Sequence, residues 1–330
     1  MIKIKLVTNK ILVRKNNNIK IRFSRKQTEI LEFYAFIAPW FIIFILLGLI
    51  PLIYGFYMSL TNFTGYNLEI LKFVGLNNYK RAFIDTDALY SLGRTFLVTI
   101  INVPLGVSIG FLMAVLLNSK IKAVGLFRTI FYLPAIIPIV ASAAMWRVIM
   151  SKNGIINDVL SNFGISRIDW LGYDHATLSL IMVLLWGCGG GLLINLSGLK
   201  GISAELYEAA TIDGANGAQN FFKITLPLMT PVLFFNLIMG IIQSLQIFAT
   251  PILLTSQAAG NNTSGLLGTP IRPNYLYLVH AFKQIFAFNR YGYGLALLWI
   301  MFVIVLIFTI LIFKTSRYWV HYEVDQGGEK

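Results

Sequence analysis

Six apolar segments constrain this sequence more than any other feature. A transmembrane helix needs about 20 apolar residues to cross the hydrocarbon core of a bilayer, and each segment is near that length or longer. The first is roughly twice the length of a signal-peptide core and lacks a small-residue cleavage pattern, so we expect it to be retained. The sequence predicts an all-α integral membrane protein with six transmembrane helices. The segments are 35–60, Phe96–Leu117, Ile130–Met150, Leu178–Leu196, Leu228–Thr250 and Gly294–Phe313.

The composition agrees with a membrane protein. Only 12% of the 330 residues are charged and the mean hydropathy is +0.71, whereas soluble domains carry about 25% charged residues. The net charge of +13 raises the possibility of nucleic-acid binding. The basic residues cluster at one terminus and the rest of the chain is apolar, so we predict a membrane protein with no nucleic-acid partner.

The N-terminal segment 1–34 holds nine Lys and Arg residues, and its first acidic residue is Glu29. Such a segment either keeps the N-terminus in the cytoplasm or binds anionic lipid or a partner. With the N-terminus inside, six spans return the C-terminus inside and place the segment between spans four and five in the cytoplasm. We therefore predict a basic cytoplasmic tail (1–34), a membrane domain (35–313) and a cytoplasmic C-terminal tail (314–330).

A polar stretch lies between the fourth and fifth apolar segments. It contains Glu205, Glu208 and Asp213, three of only 14 acidic residues in the chain, and carboxylates are costly inside a bilayer. We expect this stretch to lie in water or against another protein. Ser203 is suited to cap a first short helix. Gly214 is suited to end that helix with a positive φ, before a second short helix begins.

Small residues in the same stretch would let another surface approach the backbone closely. They are Ala209, Ala210, Gly214 and Ala215. Together with the acidic residues and the downstream apolar positions they form a spaced pattern. The pattern comprises Glu208-Ala209-Ala210, Asp213-Gly214-Ala215, Phe221, Ile224, Leu226 and Pro227.

This pattern resembles the EAA signature of the membrane-spanning subunits of binding-protein-dependent ABC importers. The resemblance implies that residues 199–227, the coupling loop, contact an ATPase subunit through Glu205 and the motif residues 208–210 and 213–215. It also implies two ATP-binding cassette ATPase subunits, a second homologous permease subunit and an extracytoplasmic solute-binding protein as partners. The expected location is the bacterial cytoplasmic membrane.

Other stretches resemble the carbohydrate-uptake branch of these permeases, which includes the maltose, lactose and glycerol-phosphate types. The resemblance covers roughly residues 73–314 and implies a sugar, oligosaccharide or related polyol as the solute. The residues that carry it are Arg128, Phe131, Leu133-Pro134, Trp146, Asn153-Gly154, Asn157, Trp170-Leu171, Gly198-Leu199, Tyr277, Ala281-Phe282 and Tyr291-Gly292-Tyr293.

The sequence contains no pattern typical of catalysis, metal binding or nucleotide binding. There is no phosphate-binding loop of the G-x-x-x-x-G-K-[ST] type, so any energy from ATP must come from a partner. His175, His280 and His321 lack metal-ligand spacing, and Cys188 has no intrachain disulfide partner. We predict a non-enzymatic chain without a cofactor or a metal.

Two features interrupt the apolar segments. Pro134 and Pro138 lie in the third segment, so we expect this span to kink or open there. Four glycines lie at 187–191 in the fourth segment. They allow either close helix packing or local unwinding beside a solute pathway.

Candidate solute contacts lie near the end of the fifth segment. Gln243, Gln246 and Thr250 are spaced i, i+3 and i+7 and are expected to share one helical face, with Ser244 beside them. Their polar groups are suited to sugar hydroxyls, with Trp186 as a stacking platform. The alternative is that these side chains hydrogen-bond other helices within the bundle.

Three other functional classes also use polytopic membrane chains. A secondary transporter needs an ionisable coupling residue within its spans, and none of the six segments has one away from an edge. A membrane-bound enzyme needs a catalytic constellation at the membrane surface, and none is visible. An ABC permease for a polyamine, metal chelate or oxyanion keeps the architecture and changes only the solute.

Overall fold

The computed structural model describes residues 25–321, apart from 67–68, 70, 119–122 and 256–267. Most of the N-terminal tail and residues 322–330 of the C-terminal tail lie outside the described residues. The described part is nearly all helical, and its one β-bridge joins Thr61 to Phe73. The α-helices are α1 Arg25–Ile43, α2 Ile50–Ser59, α3 Asn77–Ala82, α4 Thr86–Asn118, α5 Val124–Ile136, α6 Ile139–Ile149, α7 Ile155–Asn162, α8 Ala176–Trp186, α9 Leu192–Gly201, α10 Ala204–Ile212, α11 Gly217–Asn220, α12 Leu226–Leu245, α13 Ala249–Thr255, α14 Tyr277–Phe286 and α15 Tyr291–Ser316.

Five continuous helical stretches in the described residues are long and apolar enough to cross a membrane. They are Arg25–Ser59, Thr86–Asn118, Ala176–Gly201, Gly217–Leu245 and Tyr291–Ser316. The pair α5 and α6 provides a sixth crossing if both helices form one bent span. These stretches include the six apolar segments of the sequence almost entirely, so the predicted all-α membrane architecture is confirmed.

The described residues divide into two units, with the boundary between Gly55 and Phe56. Within the first unit, α1 continues through a π-helical segment, Phe44–Leu49, into α2. No residue of α1 or of the π-helical segment is buried. An apolar helix without buried side chains is stable where lipid surrounds it.

The third span is broken rather than gently kinked. Ile137 and Pro138 are both extended, with ψ values of 129° and 135°, and the helices on either side of them diverge by 102°. A proline disfavours the α conformation in the preceding residue, which explains why α5 ends at Ile136. Pro134 lies inside α5. The predicted interruption is therefore confirmed, and it occurs at Pro138.

Three helices pack together near the coupling loop. Buried side chains from α4, α9 and α12 form one apolar cluster that includes Phe111, Leu192, Leu196 and Met229. Between membrane-spanning helices such packing is stabilised by van der Waals contact, because lipid tails are as apolar as the side chains. The cluster fixes α9 and α12, the two helices on either side of the coupling loop.

A polar cluster lies where α14 adjoins the first turns of α4 and α15. The Tyr293 hydroxyl donates to Asp85 Oδ2 at 2.8 Å, and His280 Nε2 lies 3.7 Å from the same oxygen. Burial acts to raise the pKa of Asp85, but the hydrogen bonds from Tyr293 and from the Ala88 and Asp87 amides hold it below its ordinary value. Burial lowers the pKa of His280, although the Asp85 carboxylate opposes this shift.

Candidate coupling loop and solute cavity

The first short helix of the coupling loop has the predicted ends. The Ser203 hydroxyl accepts a hydrogen bond from the Glu205 amide at 3.3 Å, so Ser203 caps α10 as expected. Gly214 has a φ of +79°, which confirms the predicted conformation. The Gly214 amide donates to Thr211 O at 3.1 Å and the Ala215 amide donates to Ala210 O at 2.8 Å. This pair of bonds is the Schellman arrangement, which needs a left-handed residue after the helix.

The second short helix joins the loop to the long helix α12. Asn216 and Gln219 form a reciprocal capping box at the start of α11. A π-helical segment, Phe221–Thr225, then continues into α12. The hydroxyls of Tyr207 and Thr225 lie 2.9 Å apart, so α10 is tied to the base of α12. The sequence did not single out Tyr207.

The outer surface of α10 combines acidic and apolar side chains. Glu205, Glu208 and Asp213 are exposed, as the sequence predicts. Ile212 is 87% exposed and Leu206 is 42% exposed. Exposed apolar side chains rimmed by polar residues mark surfaces that another protein covers. The sequence analysis did not single out these two aliphatic residues, although both lie within the coupling loop.

A cavity of about 800 Å³ lies between α4, the 187–191 segment, α9 and α12. Its wall combines apolar groups with neutral polar side chains, and none of the described residues that line it is acidic or basic. Four of the five predicted solute contacts lie in this wall. The polar lining residues are Asn102, Asn195, Asn236, Gln243, Ser244, Gln246 and Thr250.

The predicted contacts line the cavity, but they do not lie on one continuous helix. The helix α12 ends at Leu245, Gln246 is its C-cap, and Thr250 belongs to α13. The prediction that one helical face carries Gln243, Gln246 and Thr250 was therefore wrong. The cavity wall brings them together because the chain turns between α12 and α13. Ser244 is buried and donates to Thr99 Oγ1 at 3.0 Å, which is the interhelical hydrogen bonding that the alternative predicts.

Trp186, the expected stacking platform, is not among the residues that line this cavity. Its ring packs edge-on against Trp146, with centroids 5.7 Å apart. The segment Gly187–Gly191 that follows it is a 3₁₀ helix. A Cβ on Gly189 would overlap the Phe131 carbonyl oxygen of α5. The glycine-rich segment therefore shows both predicted features, local unwinding and close packing.

Three asparagines in the cavity wall were missed at the sequence level. Asn102, Asn195 and Asn236 lie in α4, α9 and α12, within otherwise apolar spans. The Asn236 amide group donates to Asn195 Oδ1 at 2.8 Å. Amides inside apolar spans are costly unless they face protein or water, so their presence was a usable signal. Only the three-dimensional packing places them around one cavity.

The described residues define a polytopic membrane protein with a cavity of about 800 Å³, lined by apolar and neutral polar side chains, and with an exposed helical loop that adjoins two helices of the cavity wall. Residues 106–320 match the family of binding-protein-dependent transport system inner membrane components. The chain belongs to this family of transport permeases.

Curated relatives resemble most of the chain. The probable ABC transporter permease protein YesP of Bacillus subtilis is 41% identical over 88% of this chain and 92% of its own. The trehalose/maltose transport system permease protein MalF of Thermococcus litoralis is 31% identical over 92% of this chain and 99% of its own. The arabinooligosaccharides transport system permease protein AraP of B. subtilis is 31% identical over 86% of this chain and 88% of its own.

A solved structure shares the fold. A chain of the bacterial alginate ABC transporter in complex with alginate pentasaccharide-bound periplasmic protein matches with a TM-score of 0.75. The match covers 89% of this chain and 96% of that chain at 21% identity. The two chains therefore share one helical fold.

Proposed function

We propose that this chain is a permease subunit of an ABC importer for a sugar, an oligosaccharide or a related polyol. It forms half of the translocation pathway, and a second, homologous permease forms the other half. Two ATPase subunits dock beneath the permease pair, one of them against the coupling loop of this chain, and an extracytoplasmic binding protein delivers the solute. Both termini face the cytoplasm.

The observation that carries the choice of solute is the chemistry of the cavity wall. Five side-chain amides and two hydroxyls line it, and amides both donate to and accept from sugar hydroxyls. Polyamines call for carboxylates and oxyanions call for basic groups, and the described lining residues provide neither. The names of several relatives, which include trehalose/maltose and arabinooligosaccharides permeases, support the same class of solute.

The coupling step follows from the position of the loop. Closure of the ATPase dimer on ATP moves α10, whose acidic and aliphatic residues are seated in a cleft of one ATPase. The motion reaches the cavity through α9 and α12 because both helices adjoin the loop. The pathway then changes from inward-facing to outward-facing.

Replacing Gln243 and Gln246 together with Leu tests the solute assignment. Both side chains are exposed to the cavity, so their loss removes hydrogen bonds to the solute without opening a gap in the packed core. We expect normal complex yield and normal binding-protein-stimulated ATPase activity, with uptake reduced about tenfold or more. The measurements are co-purification, ATPase rate and sugar uptake in the complete complex.

A Met239→Leu variant is the matched control, because Met239 is an apolar residue of the same wall. It should transport normally. If the double variant fails to assemble, the two glutamines serve helix packing and the solute assignment is wrong.

The assignment of ATP hydrolysis to the ATPase subunits is also testable. Purified alone, this chain should hydrolyse no ATP, because its sequence contains no phosphate-binding loop. The assay compares the isolated subunit with the complete complex at equal permease concentration. Sustained turnover by the isolated subunit, after contaminating ATPases are excluded by gel filtration and mass spectrometry, would contradict the proposal.

A further inference from the structure

The short helix α7 carries large apolar side chains on its exposed side. Ile155 is 64% exposed, Val159 is 50% exposed and Phe163, the C-cap residue, is 77% exposed. These three residues, the α7 stripe, are spaced four apart and share one face of the helix. The protein-facing side carries the buried Asn157 and Ile156, which packs against a buried apolar cluster. The helix is therefore apolar on a side that faces away from the protein.

The orientation of the stripe is fixed by Asn157 on the opposite side of α7. Asn157 Nδ2 donates to Ser151 O at 3.2 Å and to Ile168 O at 2.8 Å. Its Oδ1 accepts from the Ile168 amide at 3.0 Å and from Trp170 Nε1 at 3.1 Å. A buried polar group whose donors and acceptors are satisfied makes its surroundings rigid. The chain before and after α7 therefore holds the helix in one orientation.

The same contacts place α7 at the ends of two membrane-spanning segments. Its N-cap is Gly154, where an added Cβ would overlap the carbonyl oxygen of Ile149, the last residue of α6. The Trp170 carbonyl oxygen accepts a hydrogen bond from Ser179 of α8 at 2.6 Å. The helix α8 begins the span Ala176–Gly201. The stripe thus lies at the level where these spans leave the membrane.

Charged and polar groups border the stripe without entering it. Arg167 Nη2 lies 3.0 Å from Asp158 Oδ1, and Arg167 Nη1 donates to Asn153 Oδ1 at 2.8 Å. Lys152 is exposed just before the helix. A helix with an apolar face and charged flanks lies in the plane of the membrane interface, with its apolar face among the lipids.

We propose that α7 is a membrane-surface anchor whose stripe lies among the lipid headgroups and the first acyl carbons. The bilayer is its partner because the stripe continues the exposed apolar surface of α6, where Val148 is 68% exposed. In the proposed topology this is the extracytoplasmic surface. The inference goes beyond the proposed function, since it does not depend on the solute or on the coupling loop.

The anchor has a task because the third span is broken. Ile137 and Pro138 are extended, so no continuous helix fixes the direction of α6 relative to α5. Ile139, the first residue of α6, lines the cavity. A membrane contact at α7 holds the end of α6 that lies furthest from the break.

Nitroxide labels test where the stripe lies. Val159→Cys is compared with Ser161→Cys, since Ser161 is exposed on the opposite side of α7. Both are made in a Cys188→Ala background and labelled in the complete complex, with its binding protein, in nanodiscs of phosphatidylcholine and phosphatidylglycerol. We expect the label at 159 to lie about 5–10 Å into the interface. It should collide with oxygen more than with water-soluble nickel ethylenediaminediacetate, and the label at 161 should show the reverse.

Two results would overturn the proposal. Equal access of the nickel reagent to both labels would place the stripe in water. Protection of the label at 159 from both reagents would mean that a protein covers the stripe. If the Val159→Cys complex does not assemble, Ile155→Cys provides the same comparison with the same outcomes.

The anchoring task has a separate test. Val159→Ser with Phe163→Ser removes apolar groups that are exposed, so the complex should assemble in normal yield. We expect uptake to fall about fivefold, at the lower end of typical coupling effects. Val159→Leu with Phe163→Trp should keep normal uptake, because Trp is favoured at membrane interfaces. Normal uptake in the double serine variant would overturn the anchoring task. A change of solute would leave the label result unaffected and would refute only the proposed function.

Discussion

Gly214→Val is expected to reach the membrane at normal levels and to lose most of its association with the ATPase subunit. Gly214 has a φ of +79° and closes the hydrogen-bonded end of α10. A β-branched residue in this conformation costs about 1–3 kcal/mol. If the docked loop must keep this turn, that cost corresponds to about a 5- to 150-fold loss of affinity for the ATPase. Uptake should fall accordingly.

The strain and the docking contact can be separated with matched variants. An added Cβ at Gly214 meets no atom of the chain within 4 Å, so the expected loss comes from the backbone conformation and from the partner's surface. Gly214→Asn should lose less affinity for the ATPase subunit than Gly214→Val, because Asn tolerates the left-handed region. Gly217→Ala is the control, since Gly217 has open space and no positive φ. Glu208→Ala should show a smaller loss of ATPase association than Gly214→Val.

Co-purification of the ATPase subunit and solute uptake are the two measurements for this series. Normal ATPase recovery together with normal uptake in Gly214→Val would mean that this loop is not the coupling element. Loss of membrane-inserted protein in Gly214→Val but not in Gly217→Ala would also contradict the account, because the loop should not be needed for the fold.

Gly189→Ala is expected to have the largest effect on stability of any single methyl addition near the cavity. The new Cβ would overlap the carbonyl oxygen of Phe131. A backbone atom cannot move aside as a side-chain end can, so α5 or the 3₁₀ segment must shift. Overpacking of this kind costs about 1–3 kcal/mol and sometimes more. We expect reduced amounts of folded protein and a lower Tm of the detergent-solubilised complex.

Two neighbouring glycines provide controls for this variant. An added Cβ at Gly187 meets no atom within 4 Å, and one at Gly190 lies 3.8 Å from Ala135 Cβ, an ordinary contact. Gly187→Ala and Gly190→Ala should therefore keep Tm values close to that of the unmodified complex. A Gly189→Ala complex as stable as these two would show that the contact between α5 and the 3₁₀ segment is not tightly packed.

The elements that local sequence determines were predictable. Ser203 and Gly214 mark the ends of a short helix by their own chemistry, and the structure places a cap at one and a positive φ at the other. The break in the third span was likewise visible as Pro138, whose ring fixes the conformation of Ile137. The apolar segments predicted the spans because the bilayer sets their length.

The cavity was less predictable because it depends on how distant segments pack. The sequence predicted that the fifth span continues as one helix to Thr250. In the structure the helix ends at Leu245 and the chain turns before α13. No signal in the apolar run marks that turn, since Ile247 and Phe248 have ordinary helical propensities. Asn102 and Asn195 are far apart in sequence and line one wall only after α4 packs against α9. A side chain such as Trp186 cannot be assigned to the cavity from its type alone.

Reconstitution of the complete complex tests the central claim most directly. Proteoliposomes that contain this chain, its partner permease and the ATPase subunits are loaded with ATP, and labelled sugars are supplied outside with the binding protein. The account predicts sugar accumulation that requires ATP, the binding protein and this chain together. Sugar accumulation by this chain alone under an ion gradient, or no accumulation of any sugar that the binding protein binds, would contradict it.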